Sequence, residues 1–225
     1  MPRKRRHSGF SLLELLIVLA IVFIVSAFAI PNYITYMRNN RINGDAMNIR
    51  SEILLAKMRA SSNFTWGRVY FDFTAGTYRP QLWCKQTAFD SGFCATANTW
   101  IDVAVGAPQQ LQPGVDYGTG TQTDPPDPAV SFAQSTLAQA EGCYPGDSTP
   151  PDGNPGAGSA DANSACIVFN SRGFAVDNTG AITTNHAIYL TNGVTTAGVT
   201  VGPSGIAKVW RHEESDTDQA NWKER

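Results

Sequence analysis

The spacing of apolar residues changes about thirty residues into the chain. From residue 12 to residue 30 the apolar run is almost unbroken, and it has about the length of a membrane-spanning helix, for which roughly 20 residues suffice. After Pro31, apolar residues recur at alternating spacings of four and three, on one face of a helix: Ile42, Ala46, Ile49, Ile53, Ala56 and Ala60. The pattern predicts one long helix over residues 10–60, kinked at Pro31, with an apolar first half and an amphipathic second half.

Segments rich in β-branched and aromatic residues follow this helix and alternate with turn residues. A hairpin connection is predicted at 74–77, and turns at 178–180, 192–193 and 203–205 separate later segments. The predicted strands are residues 68–73, 78–83, 100–105, 166–169, 173–176, 186–190, 196–201 and 206–210. The fold class that follows is α+β, with the apolar stripe of the helix lying on a sheet.

Two regions lack such a pattern. Residues 106–164 contain the proline-rich stretches 125–128 and 150–156, which are typical of loops. A short apolar piece at 129–140 is compatible with either a strand or a helical turn. The charged tail, residues 212–225, is predicted to be loose.

The charges are concentrated in a basic head before the apolar run. The chain has a formal charge of −2, and four of its 17 Lys and Arg residues lie within residues 1–9. Without that head, 13 basic residues would face 19 acidic ones, which disfavours a broad nucleic-acid-binding surface. The head is expected to stay in the cytoplasm by the positive-inside rule, placing everything after Ile30 in the periplasm or outside.

The four cysteines all lie in the part predicted to be exported: Cys84, Cys94, Cys143 and Cys166. An even number in an oxidising compartment indicates two disulfides, and four cysteines allow three connectivities. We favour Cys84–Cys94 and Cys143–Cys166, because loops between neighbours in sequence close most readily. A zinc site is the disfavoured alternative, since there is no C-x-x-C pair and the exported part has two histidines, His186 and His212.

The junction between head and apolar run carries the most specific motif. The basic head ends at Gly9, Phe10 follows, and Glu14 lies four residues after the phenylalanine. These residues resemble the class III leader of type IV pilins and pseudopilins. The resemblance implies cleavage between Gly9 and Phe10 by a prepilin peptidase, methylation of the new amino terminus, and attraction of a neighbouring subunit's terminal amine by Glu14. Such pairing would relieve the cost of burying both charges.

Two alternatives for this segment remain open. It can also be divided as an ordinary secretory signal, with Ala27 and Ala29 forming an A-x-A cleavage site. Glu14, the Gly9–Phe10 junction and the helical pattern beyond Ala29 oppose that interpretation. The second alternative is a plain membrane anchor without polymer assembly.

The last third of the chain resembles one branch of this family more specifically. It is similar to the GspH and FimT/FimU branch of minor pilins and pseudopilins, in four segments: 169–174, 180–183, 187–191 and 201–209. The family fold implied is a protruding helix packed on antiparallel sheet, which agrees with the α+β prediction. Residues 170–173 are then a turn with Gly173 at a special backbone angle.

The resemblance implies a division of the chain into segments and a function for the protein. It implies a leader at 1–9, a transmembrane and assembly helix at 10–30, its amphipathic continuation at 31–62, and a β-rich periplasmic or extracellular domain at 63–211. The function implied is a minor pilin of a type IV pilus, with other pilins, prepilin peptidase and the inner membrane as partners. A pseudopilin of type II secretion is the alternative within this architecture.

A DNA-binding pilin for natural transformation is a further alternative. The matching region offers two candidate phosphate contacts, Lys208 and Arg211, followed at once by Glu213 and Glu214. Phosphate binding needs clustered Arg and Lys, so nucleic acid is not the expected partner.

Neither enzymatic nor metal chemistry is indicated. No G-x-S-x-G, Walker loop, zinc-binding helix or complete dinucleotide motif is present, and no cofactor is expected. The acidic loop residues, such as Asp116 and Asp147, do not have the spacing of a calcium loop.

Overall fold

The computed structural model describes residues 11–85, 94, 96–103, 107–126, 134, 136–148, 153–216 and 221–225. The chain divides into two compact units, Met1–Arg38 and Asn39–Arg225. The leader, with Gly9 and Phe10, lies outside the described residues, as do positions 129–133 and 135 of the short apolar piece.

Helix α1 comprises Leu12–Ser62 and continues through Pro31. Its C-terminal half presents the predicted stripe, and every member of that stripe is fully buried: Ile42, Ala46, Ile49, Ile53, Ala56 and Ala60. The stripe was predictable because side chains three and four residues apart share one face of a helix.

The end of α1 is closed by a Schellman motif. Phe64 donates its backbone N–H to Ser61, and Thr65 donates to Ala60, which satisfies two of the carbonyls that a helix end leaves unpaired. Phe64 adopts a φ of 51° at the position that usually carries glycine.

Eleven strands of the described residues form two antiparallel sheets. The first contains β1 (Gly67–Asp72), β2 (Thr77–Cys84), β3 (Thr99–Asp102), β4 (Gln109–Gln110), β6 (Ser164–Phe169) and β7 (Ala175–Val176), in the order β3-β2-β1-β6-β7 with β4 also paired to β2. The second contains β5 (Asp116–Tyr117), β8 (His186–Thr191), β9 (Thr195–Val201), β10 (Ala207–Glu213) and β11 (Lys223–Glu224), in the order β11-β10-β9-β8-β5.

One core joins these elements. The stripe of α1 packs in a single cluster with Val69, Phe71 and Ile167 of the first sheet and with Ile188 and Val199 of the second. The α+β prediction, a long helix packed on antiparallel sheets, is confirmed.

The structure differs from the sequence predictions at short strands. The region 106–164 contains β4 and β5, each two residues long, and such strands are too short to have a visible alternating pattern. The predicted strand at 173–176 is reduced to Ala175–Val176, because Gly173 belongs to a turn.

The structure differs most clearly from the sequence prediction in the C-terminal tail. Residues 212–225 were predicted to be loose, but His212 and Glu213 extend β10, and β11 pairs with β10 through Trp210 and Arg211. Trp222 is 8% exposed and packs with Tyr189. The apolar area of one tryptophan therefore outweighs the charged surroundings that suggested disorder.

Candidate assembly site

The first turn of α1 is capped by Ser11. The Ser11 hydroxyl accepts the backbone N–H of Glu14 at 3.2 Å, the geometry of a helix N-cap satisfying the third residue of the helix. Serine followed by glutamate three residues later is the pattern of a capping box. This role of Ser11 was not predicted, although the pattern is visible in the sequence.

The apolar residues around Glu14 have no cover within the described chain. Large side chains of this segment are half-exposed or more, with Leu12 at 81% and Phe23 at 73%. By length and composition this part of α1 could cross a membrane, a property it shares with signal sequences. In water so large a contiguous apolar surface would be unfavourable, so it requires a lipid or protein environment.

Both favoured disulfides are present. Cys84 is bonded to Cys94, and Cys143 to Cys166. The second bond ties the irregular segment before β6 to that strand, and the Ser164 hydroxyl also accepts the N–H of Cys143 at 3.0 Å.

The two candidate DNA contacts lie near each other in sequence on β10, and both are ion-paired. Lys208 Nζ is 3.0 Å from a Glu224 carboxylate oxygen, and Arg211 is 3.1 Å from Glu213. A phosphate would have to compete with these carboxylates, so the local electrostatics disfavour DNA binding here.

The turn at 170–173 is a structural feature. The Asn170 side chain accepts N–H groups from Arg172 and Phe174, and Gly173 has the expected positive φ, at 78°. A β-carbon at Gly173 would lie 3.0 Å from the Ser61 hydroxyl, which explains the absence of a side chain next to α1.

Two acidic residues on the covered part of α1 escaped the sequence analysis. Asp45 is 1% exposed, and its carboxylate accepts the backbone N–H of Gln112 at 2.9 Å. Glu52 accepts the side-chain amide of Gln109 at 2.9 Å. Burial raises the pKa of both carboxyls, because low-dielectric surroundings disfavour the charged form.

A buried arginine was also missed. Arg68 is 4% exposed; it donates to the Gln81 side chain at 2.8 Å, and its guanidinium lies 4.0 Å from the Trp100 ring centroid. Burial lowers its pKa to about 9, opposed chiefly by the charge of Asp161. Its partners come from separate strands, so no local sequence signal marks it. Within the described chain, no group of three or more His, Cys, Asp or Glu side chains is placed to hold a metal ion.

Comparisons with known proteins match the N-terminal segment and part of the rest of the chain. Residues 4–30 match the model for the prokaryotic N-terminal methylation motif. The chain is 26% identical over 129 residues to the type IV major pilin protein PilA of Myxococcus xanthus strain DK1622; the alignment covers 56% of this chain and 58% of that protein, which is less than two thirds of its length. No solved structure matches the chain significantly.

Type IV pilins are structural, non-enzymatic proteins, which agrees with the prediction that this chain is not an enzyme. The chain thus combines an N-terminal methylation motif, a long exposed apolar helix segment and antiparallel sheets in one type IV pilin-like protein.

Proposed function

We propose that this protein is a minor pilin of a type IV pilus, of the GspH and FimT/FimU branch. Before assembly it resides in the inner membrane through residues 10–30, with the compact unit Asn39–Arg225, the globular unit, in the periplasm. It then joins the priming complex or the tip of the pilus. The observation that carries the proposal is the exposed apolar segment of α1 with a single carboxylate, Glu14, at its start.

The environment of this segment changes during assembly but stays apolar. In the membrane its side chains contact lipid, and in the fibre they contact the corresponding helices of neighbouring subunits. Van der Waals packing replaces lipid contact in such helix associations. Neither environment hydrates Glu14, and an acid within an apolar segment is costly, by about 2.5–3.5 kcal/mol at the bilayer centre and less near an end.

The cap at Ser11 supports a role for Glu14. Cleavage after Gly9 would leave a charged amine on Phe10, directly before the N-cap residue. The N-terminus of a helix already carries a partial positive charge, so an amine there is unfavourable. A carboxylate at Glu14 of this subunit or of its neighbour offsets that charge, and in an apolar medium the attraction acts strongly.

The connection between β5 and β6 supports a minor subunit. It extends from Tyr117 to Ser164 and contains no strand or helix in its described residues. A connection of this length would crowd a shaft of identical copies, but has room in a subunit present once or a few times. Because the relative in Myxococcus xanthus is a major pilin, copy number is the decisive quantity.

Two mass-spectrometric measurements test the proposal. Intact-mass analysis of membrane-extracted protein should give a chain that starts at methylated Phe10; a start at Ile30 would identify a cleaved secretory signal. Quantitative mass spectrometry of sheared pili should find this chain at a small fraction of the principal subunit. Equal abundance would indicate a major pilin, and absence from pili with loss of protein secretion would indicate a pseudopilin.

The role of Glu14 is tested by Glu14→Gln, which keeps size and polarity but removes the charge. We expect normal cleavage at Gly9, accumulation in the inner membrane and loss from the sheared pilus fraction. Glu14→Ala should behave alike, whereas Asp116→Asn is the control for loss of an exposed carboxylate. Normal incorporation of both Glu14 variants would show that this charge does not direct assembly.

A further inference from the structure

We propose that a pocket beside Trp66, in the globular unit, binds an acidic saccharide. The pocket has a volume of about 280 Å³ and is lined by Trp66, Trp83, Lys85, Gly153, Asn154 and Pro155. This volume accommodates one sugar ring rather than a drug-sized ligand, since typical pockets for the latter hold about 300–1,000 Å³. The pocket lies wholly within the globular unit, and none of its lining residues belongs to the Met1–Arg38 unit that carries Glu14.

The aromatic wall of the pocket is Trp66. Its side chain is partly exposed, and Gly180 lies against its six-membered ring, where an added β-carbon would stand 3.2 Å from Cζ2. Among the described residues nothing accepts a hydrogen bond from its indole N–H. An indole that presents both an apolar face and a free N–H suits a sugar ring, which offers C–H groups on one face and hydroxyls at its edge.

The polar groups of the pocket are mainly hydrogen-bond donors. Lys85 Nζ donates to the Phe64 carbonyl at 3.0 Å, and an ammonium group has three donors, so two remain. The Asn154 side-chain oxygen accepts the N–H of Gly156 at 3.0 Å, which leaves its amide N–H groups without an acceptor in the described part of the chain.

Two of the backbone carbonyls beside these donors already accept hydrogen bonds. The Asn154 carbonyl accepts N–H groups from Asp147 and Ala157, and the Pro155 carbonyl accepts the indole N–H of Trp100 at 3.2 Å. A ligand that carries acceptors of its own would pair with the donors that remain. The described lining holds one cation, Lys85, and no carboxylate; the adjacent Asp147 carboxylate accepts the backbone N–H of Asn154. A sugar carboxylate placed against Lys85 would gain a charge-assisted hydrogen bond.

The pocket is formed before any ligand arrives. Gly153 has a φ of 64°, and a β-carbon there would clash with the Asp147 carbonyl. The Asp147 carboxylate accepts the backbone N–H of Asn154 at 2.8 Å. Behind this loop, Trp83 and Trp100 pack edge to face with ring centroids 5.4 Å apart. A preorganised site loses less entropy on binding.

Single-stranded nucleic acid also uses an aromatic ring beside a cation, but it needs a positively charged groove along several nucleotides. This pocket has a single cation, the chain carries a net charge of −2, and Lys208 and Arg211 are paired with glutamates. The observations therefore favour a saccharide, and an oligonucleotide serves as the competing probe.

The test is saturation-transfer NMR on the full-length protein in detergent, with glucuronic, galacturonic and N-acetylneuraminic acids, glucose as the neutral probe, and tetrathymidylate. We expect at least one acidic sugar to bind more tightly than glucose. Trp66→Ala should weaken that binding by at least about tenfold, and Trp66→Phe should weaken it less, since it keeps an aromatic face and loses the N–H. Lys85→Gln should remove the preference for acidic over neutral sugar.

The matched control is Lys223→Gln, which removes an exposed lysine outside the pocket and should leave binding unchanged. If Trp66→Ala fails to fold, Trp66→Phe and Lys85→Gln still decide the question. The proposal is overturned if no acidic sugar receives saturation, if both of these variants bind like the wild type, or if tetrathymidylate displaces the sugar at lower concentration.

Discussion

The two halves of α1 are both rich in apolar residues, and only one of them is covered. Ile21, Phe23 and Ile24 are 55–73% exposed, whereas Ile49 and Ile53 are fully buried. The difference follows from spacing. A helix with one apolar stripe can bury that stripe against the sheets of the same chain. A helix that is apolar all round needs apolar neighbours on every side. Apolar content alone therefore does not tell whether a chain buries its own surface.

The acids of the two halves differ in the same way. Asp45 and Glu52 find partners within the chain, in Gln112 and Gln109. For Glu14 the contact that the structure gives is that of its backbone N–H with Ser11. In the covered half each carboxylate thus receives a hydrogen bond from the chain's own fold, although Glu52 Oε2 is buried without a partner in the described residues.

The largest expected effect is the contrast between Ile53→Ala and Ile24→Ala. The first should lower the free energy of unfolding of the globular unit by about 2–5 kcal/mol, as buried large-to-small changes do. The second should leave it unchanged. Urea unfolding of the full chain in detergent, followed by tryptophan fluorescence, is selective for this unit because all five tryptophans lie after residue 62. Equal destabilisation by both variants would remove the distinction between the halves.

A smaller loss is expected from Lys57→Met. Lys57 Nζ donates to the carbonyls of Ser204 and Gly205 at 2.7 and 3.3 Å, linking the covered half to the β9–β10 turn. Its replacement should cost about 1 kcal/mol, the net value of a hydrogen bond, in the same unfolding measurement. Arg59→Met, which removes an exposed cation two residues away, should change stability by less than about 0.5 kcal/mol.

Phe64→Gly is expected to act in the opposite direction. The positive φ of Phe64, 51°, costs an L-residue about 1–2 kcal/mol, and glycine avoids most of that cost while having greater freedom in the unfolded chain. A net gain of about 1 kcal/mol in the free energy of unfolding should result. Phe64→Ala keeps the unfavourable backbone and should show no such gain; a similar gain in both variants would assign the effect to the phenyl group instead.

The smallest effect concerns pH and Asp45. Because burial raises the pKa of Asp45 above its ordinary value of 3.8, the folded state binds more protons than the unfolded state between the two pKa values. Its contribution to stability is therefore greatest in acid and falls as pH rises through the folded pKa. Asp45→Asn should flatten that slope and change stability at neutral pH by less than about 1 kcal/mol.

The readout for this prediction is the unfolding midpoint as a function of pH. Asp116→Asn, at an exposed position, is the control and should leave the slope as in the wild type. A slope that is unchanged in Asp45→Asn would show that other groups, such as Glu52, set the pH dependence.

Features that depend on neighbours in sequence were predictable. The stripe from Ile42 to Ala60 follows from helix periodicity, and the turn at Gly173 from local backbone chemistry. The pairing of Cys84 with Cys94 and of Cys143 with Cys166 follows from short loop closure. The candidate assembly site lies within one continuous segment, so Glu14 could be found without the fold.

Features that depend on distant partners were not predictable. The buried carboxylate of Asp45 accepts a hydrogen bond from the backbone of Gln112, and the buried guanidinium of Arg68 stacks on the Trp100 ring. Both partners are distant in sequence. The strands β5 and β11 form by pairing with β8 and β10. The pocket beside Trp66 joins residues at the ends of β1 and β2 with residues inside the irregular β5–β6 connection. The sequence by itself determined the helix, its two kinds of surface and the position of its acid, because these need only local periodicity. The tertiary structure alone decided which polar groups are buried and which residues share a pocket, because contacts between distant segments arise only when the whole core packs.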